Sequence, residues 1–172
     1  NIREVRRSIF ALRPVALEKL GFYPALHQFV EEYAEQNQLH VDLHIEGRQE
    51  RLPASLEPVL FRIIQEALNN ISKHAQANAV WIALNLESSE SVKLSVRDNG
   101  VGFNPASLSQ LFKRGHLGLR QMQERIVNLN GTFELNTKPG KGTEIAVTVP
   151  LLGKLSEQSS SSAIHSEEKN ND

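Results

Sequence analysis

One stretch constrains this chain more than any other: Val96-Arg97-Asp98-Asn99-Gly100-Val101-Gly102-Phe103, a strand that ends on a carboxylate and runs into two glycines. Val92, Leu94 and Val96 alternate with Lys93, Ser95 and Arg97, the period of two of a half-buried strand, and Asp98 closes it. Gly100 and Gly102 then permit backbone conformations and close approaches that a Cβ would forbid. Two readings are open. Asp-Asn-Gly is a strong hairpin signal, so the tripeptide can be a tight turn. It can equally aim a carboxylate at the polar edge of a ligand that lies against bare backbone, and the rest of the chain decides between the two.

The other elements read around this strand. Ile2, Val5, Ile9 and Leu12 recur at helical spacing among Arg3, Glu4, Arg6 and Arg7, an amphipathic helix whose stripe wants a partner and which Pro14 interrupts. After Gly21 and Pro24, Leu26, Phe29, Val30 and Tyr33 mark a second helix ending near Asn37. Leu39, Val41, Leu43 and Ile45 alternate with His40, Asp42, His44 and Glu46, a strand with its histidines towards solvent. Pro53 opens the longest helix, with Leu56, Val59, Leu60, Ile63, Ile64, Ala67, Leu68 and Ile71 as one apolar stripe. Val80 to Leu86 and Val92 to Val96 read as a hairpin.

From Asn104 to His116 periodicity fades, which predicts a long mobile loop of the kind that serves as a lid. Leu119, Met122, Ile126 and Leu129 restore a helix, Phe133 and Leu135 a strand, and Ile145, Val147 and Val149 the last strand after Pro139-Gly140-Lys141-Gly142. Beyond Leu152 the Ser-rich polar sequence predicts a disordered tail over 153–172. The order predicts an α+β fold: a two-layer α/β sandwich, one five-stranded mixed sheet with helices on one face.

Composition removes several function classes. Lys+Arg 19 against Asp+Glu 20 gives a net charge of −1, so nothing global draws the chain to nucleic acid or to an anionic membrane surface. Without cysteine there is no disulfide, thiolate metal site or Cys nucleophile, which suits a reducing, cytoplasmic setting. No apolar run is long enough to span a bilayer, and a start at Asn1 suggests a piece of a longer parent, which can itself be membrane-anchored.

On the long helix Glu66, Asn70 and Lys73 stand at i, i+4 and i+7 and share a stripe at the border of the apolar face. A carboxylate, an amide oxygen and an ammonium in a row suit a magnesium triphosphate, because Mg²⁺ keeps its waters and takes few protein ligands. The same three residues also describe an ordinary solvated face. His74 falls on the apolar side of the wheel, which predicts a partly buried, hydrogen-bonded histidine. Gly115, Gly118 and Leu119 close the loop at a helix start whose amides would face an anion. Thr143 begins a strand that can lie beside the one ending at Asp98. Neither glycine-cradle nucleotide motif fits, since Pro105 stands where a dinucleotide fingerprint needs its third glycine.

Together these runs resemble a known family. Glu66-Ala67-Leu68-Asn69-Asn70-Ile71-Ser72-Lys73-His74-Ala75, Asp98 to Phe103, Gly115 to Leu119 with Met122-Gln123-Glu124-Arg125, and Pro139 to Thr143 are similar in order and spacing to the ATP-binding domain of bacterial sensor histidine kinases, in particular the nitrate- and membrane-fluidity-sensor subfamily. The resemblance covers about Gly21 to Pro150, the ATP-binding catalytic domain taken as 21–152, and implies the histidine kinase/gyrase-type ATPase fold. Glu4 to Pro14 resembles the end of the subfamily's dimerisation helix, taken as 1–20, and implies a homodimer through those helices in the full-length protein.

The resemblance implies ATP and Mg²⁺ as cofactors and a role for each residue. Asp98 receives the adenine amino group, Gly100 and Gly102 let the lid start flush against the nucleotide, and Thr143 supports the adenine end. Asn70 ligates Mg²⁺, Lys73 contacts phosphate, Glu66 organises metal-bound water, His74 belongs to the nucleotide site, and Gly115 and Gly118 hinge the lid. One departure stands out: the family's lid commonly ends Gly-x-Gly-Leu, and here Gly115 lies one residue further back. The family's phosphoacceptor, a His followed by an acidic residue, is absent, since His27, His40, His44 and His165 lack that context. The expected reaction is transfer of the ATP γ-phosphoryl to a histidine upstream of Asn1 and then to an Asp of a response regulator receiver domain. A serine kinase acting in an anti-sigma system and an ATP-driven dimerising clamp of the gyrase or chaperone type share the fold and are the alternatives.

Overall fold

The computed structural model describes residues 13–107 and 117–151. Expectations for Asn1 to Leu12, Leu108 to His116 and the tail from Leu152 lie outside the described residues. Within them four α-helices and five strands run in order: α1 (Arg13–Leu20), α2 (Phe22–Asn37), β1 (His40–Gly47), α3 (Glu57–Asn70), β2 (Ala79–Leu86), β3 (Ser91–Asp98), α4 (Leu117–Val127), β4 (Thr132–Thr137) and β5 (Thr143–Pro150). Pro14, expected to interrupt the preceding helix, stands in the first turn of α1, and the helix it was to interrupt lies outside the described residues. Pro53 does not open α3: its carbonyl takes the Leu56 N–H in a preceding turn at 2.9 Å, and Pro58 occupies the first helical turn, where a missing N–H costs nothing.

The strands form one mixed sheet in the order β1-β2-β3-β5-β4, with β1 parallel to β2 and the other pairs antiparallel. Strict alternation gives the sheet two different faces. Val80, Ile82, Leu84 and Leu86 of β2, Val92, Leu94 and Val96 of β3, and Ile145, Val147 and Val149 of β5 are buried beneath the helices. The opposite face carries Lys93, Arg97 and Trp81, with the Arg97 guanidinium 5.8 Å from the Trp81 ring centre. A solvated face of this kind is what an antiparallel-rich sheet tolerates.

The helical layer is closed by an aromatic cluster. Phe22 and Phe29 of α2 meet Phe61 of α3, with ring centres 6.4 Å apart for Phe22–Phe61 and 5.5 Å for Phe29–Phe61, and Tyr33 packs on Phe29. Aromatic pairs of this sort add to burial, about 0.5–1.5 kcal/mol for each pair. Tyr23, beside the cluster, donates its hydroxyl to the Gln49 carbonyl at 2.8 Å. Burial, aided by Glu57 and Glu50, pushes that phenol up to about 12. α3 thus lies fixed across the sheet, and its last turn points to the C-terminal end of β3.

Candidate active site

β3 delivers Asp98. The alternation that buries Val92, Leu94 and Val96 puts this carboxylate on the same face, only 2% exposed. Arg97 points to the other face and cannot neutralise it. Backbone amides do part of that work instead: Gly100 N–H donates to Oδ1 at 2.7 Å, and the Thr143 N–H also donates to the carboxylate. Burial nevertheless dominates and holds the acid above its ordinary value, with the two amides pulling the other way.

The segment after Asp98 is not a hairpin turn; it crosses the end of the sheet and is bonded to four different elements. Asn99 N–H donates to Ala79 O of β2 at 3.3 Å, and Val101 N–H to Ala75 O at 2.7 Å. Asn99 Oδ1 accepts the Asn78 and Ala79 amides, each at 3.1 Å. Phe103 N–H donates to Thr137 Oγ1 of β4 at 3.0 Å, and Val101 O accepts Gly140 N–H at 2.6 Å. Gly102 (φ +58) and Gly142 (φ +74) are both left-handed, and each lacks room for a Cβ: one would meet the Lys138 and Gly142 carbonyls, the other the Asp98 carbonyl.

Thr137 joins the two sides of this assembly and was missed by sequence reasoning. Its buried hydroxyl accepts from Phe103, donates to Gly142 O at 3.1 Å and lies 3.0 Å from Thr143 Oγ1. The available signal was its symmetry: Thr137 and Thr143 flank Pro139-Gly140-Lys141-Gly142 and pair directly across the hairpin.

α3 supplies the opposite wall. After Asn70 the helix changes pitch, and Ile71–Ala75 is a π-turn ended by Gln76 in the left-handed region (φ 51). A wider turn inserts a residue and rotates the side chains beyond it, and such bulges are frequent at functional sites. Glu66, Asn69, Asn70, Lys73, His74 and Ala75 all border one cavity of about 370 Å³; the first five fall on one face of a regular helix, and the wide turn adds Ala75 to it. This corrects the reading of His74: drawn on an ideal wheel it is partly buried, but the pitch change turns it outward and it is exposed at the cavity rim.

The same cavity is bordered by Asp98, Gly102 and Phe103, by Thr143 and Ile145 of β5, and by Gly118 and Leu119 in the first turn of α4. Gly118 lies within that helix rather than ahead of it, and a Cβ there would fall on Glu66 Oε1. Gly100 is not on the wall. It packs behind it, where a Cβ would fall on the Ala75 carbonyl, and its contribution to the cavity is the amide it gives to Asp98. Gly115 lies outside the described residues. Asn70 Nδ2 is buried with no hydrogen-bond partner among the described residues, which costs about 1–3 kcal/mol.

One end of the cavity is thus a buried acceptor in an apolar slot of Val96, Leu135 and Ile145, and the other is a polar rim of Glu66, Asn70 and Lys73. A planar base with an exocyclic amino group suits the first, and an anionic tail the second.

Comparison with known proteins agrees. Residues 56–153 match the family described as "Histidine kinase-, DNA gyrase B-, and HSP90-like ATPase". The signal transduction histidine-protein kinase/phosphatase DegS of Brevibacillus brevis is 38% identical over 88% of this chain and 38% of its own length. The oxygen sensor histidine kinase NreB of Staphylococcus carnosus is 32% identical over 87% of the chain and 42% of its own length, so the chain spans about two fifths of these relatives. Among solved structures, the histidine kinase domain of the Erythrobacter litoralis EL346 blue-light activated kinase shares the fold with a TM-score of 0.59 at 18% identity, over 74% of this chain and 60% of that one. ShkA in complex with AMPPNP gives 0.60 at 20% identity, over 76% and 29%. The chain belongs to the histidine kinase-, DNA gyrase B- and HSP90-like ATPase family, and within it is an ATP-binding catalytic domain of the sensor histidine kinase kind.

Proposed function

We propose that this domain holds ATP with the adenine on Asp98 and the triphosphate along Asn70 and Lys73, and that the parent protein transfers the γ-phosphoryl to a histidine on a dimerisation helix and then to an aspartate of a response regulator receiver domain. The observation that carries the reading is Asp98. Its carboxylate is buried, bordered by apolar walls and fixed by two backbone amides, which leaves acceptor capacity directed into the slot. An adenine amino group satisfies that acceptor; guanine, with a carbonyl at the same place, would set oxygen against oxygen.

The residues at the other end fit a magnesium triphosphate. The unpartnered Asn70 amide recovers its lost hydrogen bond by donating to a phosphate oxygen, or, turned about its last torsion, offers Oδ1 to Mg²⁺. Lys73 places a mobile cation at the rim, and Glu66 holds a carboxylate where a water bound to the metal can be oriented. The first turn of α4, with Gly118 bare against Glu66, gives close access to backbone amides. Mg²⁺ arriving with the nucleotide supplies neutralisation of the triphosphate charge. Domain roles follow the same reading: 1–20 ends the dimerisation helix, 21–152 binds ATP, and 153–172 is a tail. Among the described residues no helix is long and apolar enough to cross a membrane, and we place the domain with its ATP in the cytoplasm.

Calorimetric titration tests this directly. ATP with Mg²⁺ is expected to bind and GTP to bind at least about tenfold more weakly, a difference of one unsatisfied buried acceptor. Equal affinity for the two nucleotides would sink the adenine assignment.

A further inference from the structure

We infer that Tyr33, on the second helix and outside the cavity, is a positioning residue for the triphosphate end of the site, because its hydroxyl is bonded to the backbone at the point where α3 gives way to the π-turn. The inference rests on the nucleotide reading above. Tyr33 is 7% exposed and Leu68 is 0% exposed, and Tyr33 Oη–H donates to the Leu68 carbonyl at 2.5 Å. That carbonyl already accepts the Ile71 N–H, which is shared between Ala67 O and Leu68 O. A side-chain donor entering the ladder of a helix is one of the few physical causes of a change in pitch. Here the change comes within the next turn, at Ile71–Ala75, and these residues bring Lys73 and His74 to the cavity.

The placement is rigid at both ends. Tyr33 is held by an edge-on contact with Phe29, ring centres 6.2 Å apart, and its own carbonyl accepts Asn37 Nδ2–H at 2.8 Å. At the end of the π-turn, the Ala75 carbonyl is fixed by Val101 N–H. Between these two anchors the backbone has one residue more than a regular α-helix would need. The hydroxyl favours the wide turn by occupying Leu68 O, and the wide turn sets Lys73 against phosphate. None of this touches Asp98, which sits on β3.

Adenosine and Mg·ATP titrated against the wild-type domain, Tyr33→Phe and Phe29→Leu separate the possibilities. Tyr33→Phe keeps the ring and removes one hydrogen bond; the expected result is unchanged adenosine affinity and a loss of Mg·ATP affinity of about fivefold. Phe29→Leu loosens the same cluster without touching the hydroxyl, so it should lower Tm and leave the Mg·ATP to adenosine ratio alone. A ratio unchanged in Tyr33→Phe, or reduced as much in Phe29→Leu, overturns the role of Tyr33 while leaving the site intact. A wild-type domain that binds adenosine and Mg·ATP equally would overturn the triphosphate reading, and this proposal with it.

Discussion

The two ends of the cavity are built from opposite materials. Around Asp98 the described polar groups are already paired: the carboxylate with two amides, Thr137 with Phe103 and Gly142, and Asn99 with Asn78 and Ala79. Around Asn70 a buried amide nitrogen lacks a partner among the described residues, Lys73 and His74 are exposed, and the helix abandons its regular pitch. The first end is preorganised and can discriminate between bases, because a mismatched group finds no alternative partner. The second leaves donors and charge to be completed by what arrives, as suits an anion that must be bound, moved and released. On the proposed reading, recognition and transfer are divided between sheet and helix.

The largest test attacks the rigid end at its backbone. Gly142→Ala combines a left-handed φ with a Cβ against the Asp98 carbonyl, and is expected to cost about 3 kcal/mol or more of stability in denaturant unfolding. Gly140→Ala, with the same φ of +74 but nothing within 4 Å, should cost only about 1 kcal/mol. Equal costs would show that conformational strain, not close packing behind Asp98, governs the turn.

Next comes the acceptor itself. Asp98→Asn turns an amide towards donors and should weaken ATP about 100-fold in calorimetry, with the fold retained. Lys73→Ala at the open end should be milder, about tenfold on Mg·ATP at low salt and less as salt rises, with no effect on adenosine. If Lys73→Ala weakened adenosine as well, the division between the ends would fail.

The smallest effect is on pH. The folded acid of Asp98 is raised above 3.8, so its favourable contribution is fully present below 3.8 and is lost as pH rises through the folded value. Asp98→Asn cannot ionise. Melting curves of the free domain should therefore show the variant gaining on the wild type as pH climbs through that window, then holding level towards neutrality. A difference independent of pH would mean that Asp98 does not change its charge state within the fold.

The division between the ends also explains what the sequence could tell. Strands β2, β3 and β5 were legible because period two records which face is buried, and the same parity placed Asp98 beside Val96 on the core side. That the helices cover one face follows from that alternation; the parallel pairing of β1 with β2, which makes the sheet mixed, does not. His74 was misplaced because a wheel of 3.6 residues per turn carries no mark for an inserted residue, and the pitch change at Ile71 comes from the surroundings of the helix. Thr137 was passed over because a threonine in a strand reads as β-propensity; its hub arises only when β4, β5 and the glycine segment meet. Gly100 was read as a wall of the site because sequence shows that a Cβ is missing but not which neighbour requires it.

The run from Asn99 to Phe103 has no secondary structure, yet its bonded amides are anchored on β2, the Asp98 carboxylate, the π-turn and β4. Loops usually exchange their amide hydrogens through small local openings. This one cannot release Val101 without freeing Ala75, nor Phe103 without freeing Thr137, so opening it means separating α3 from the sheet. In hydrogen exchange, Gly100, Val101 and Phe103 should behave as core amides, protected on the timescale of global unfolding.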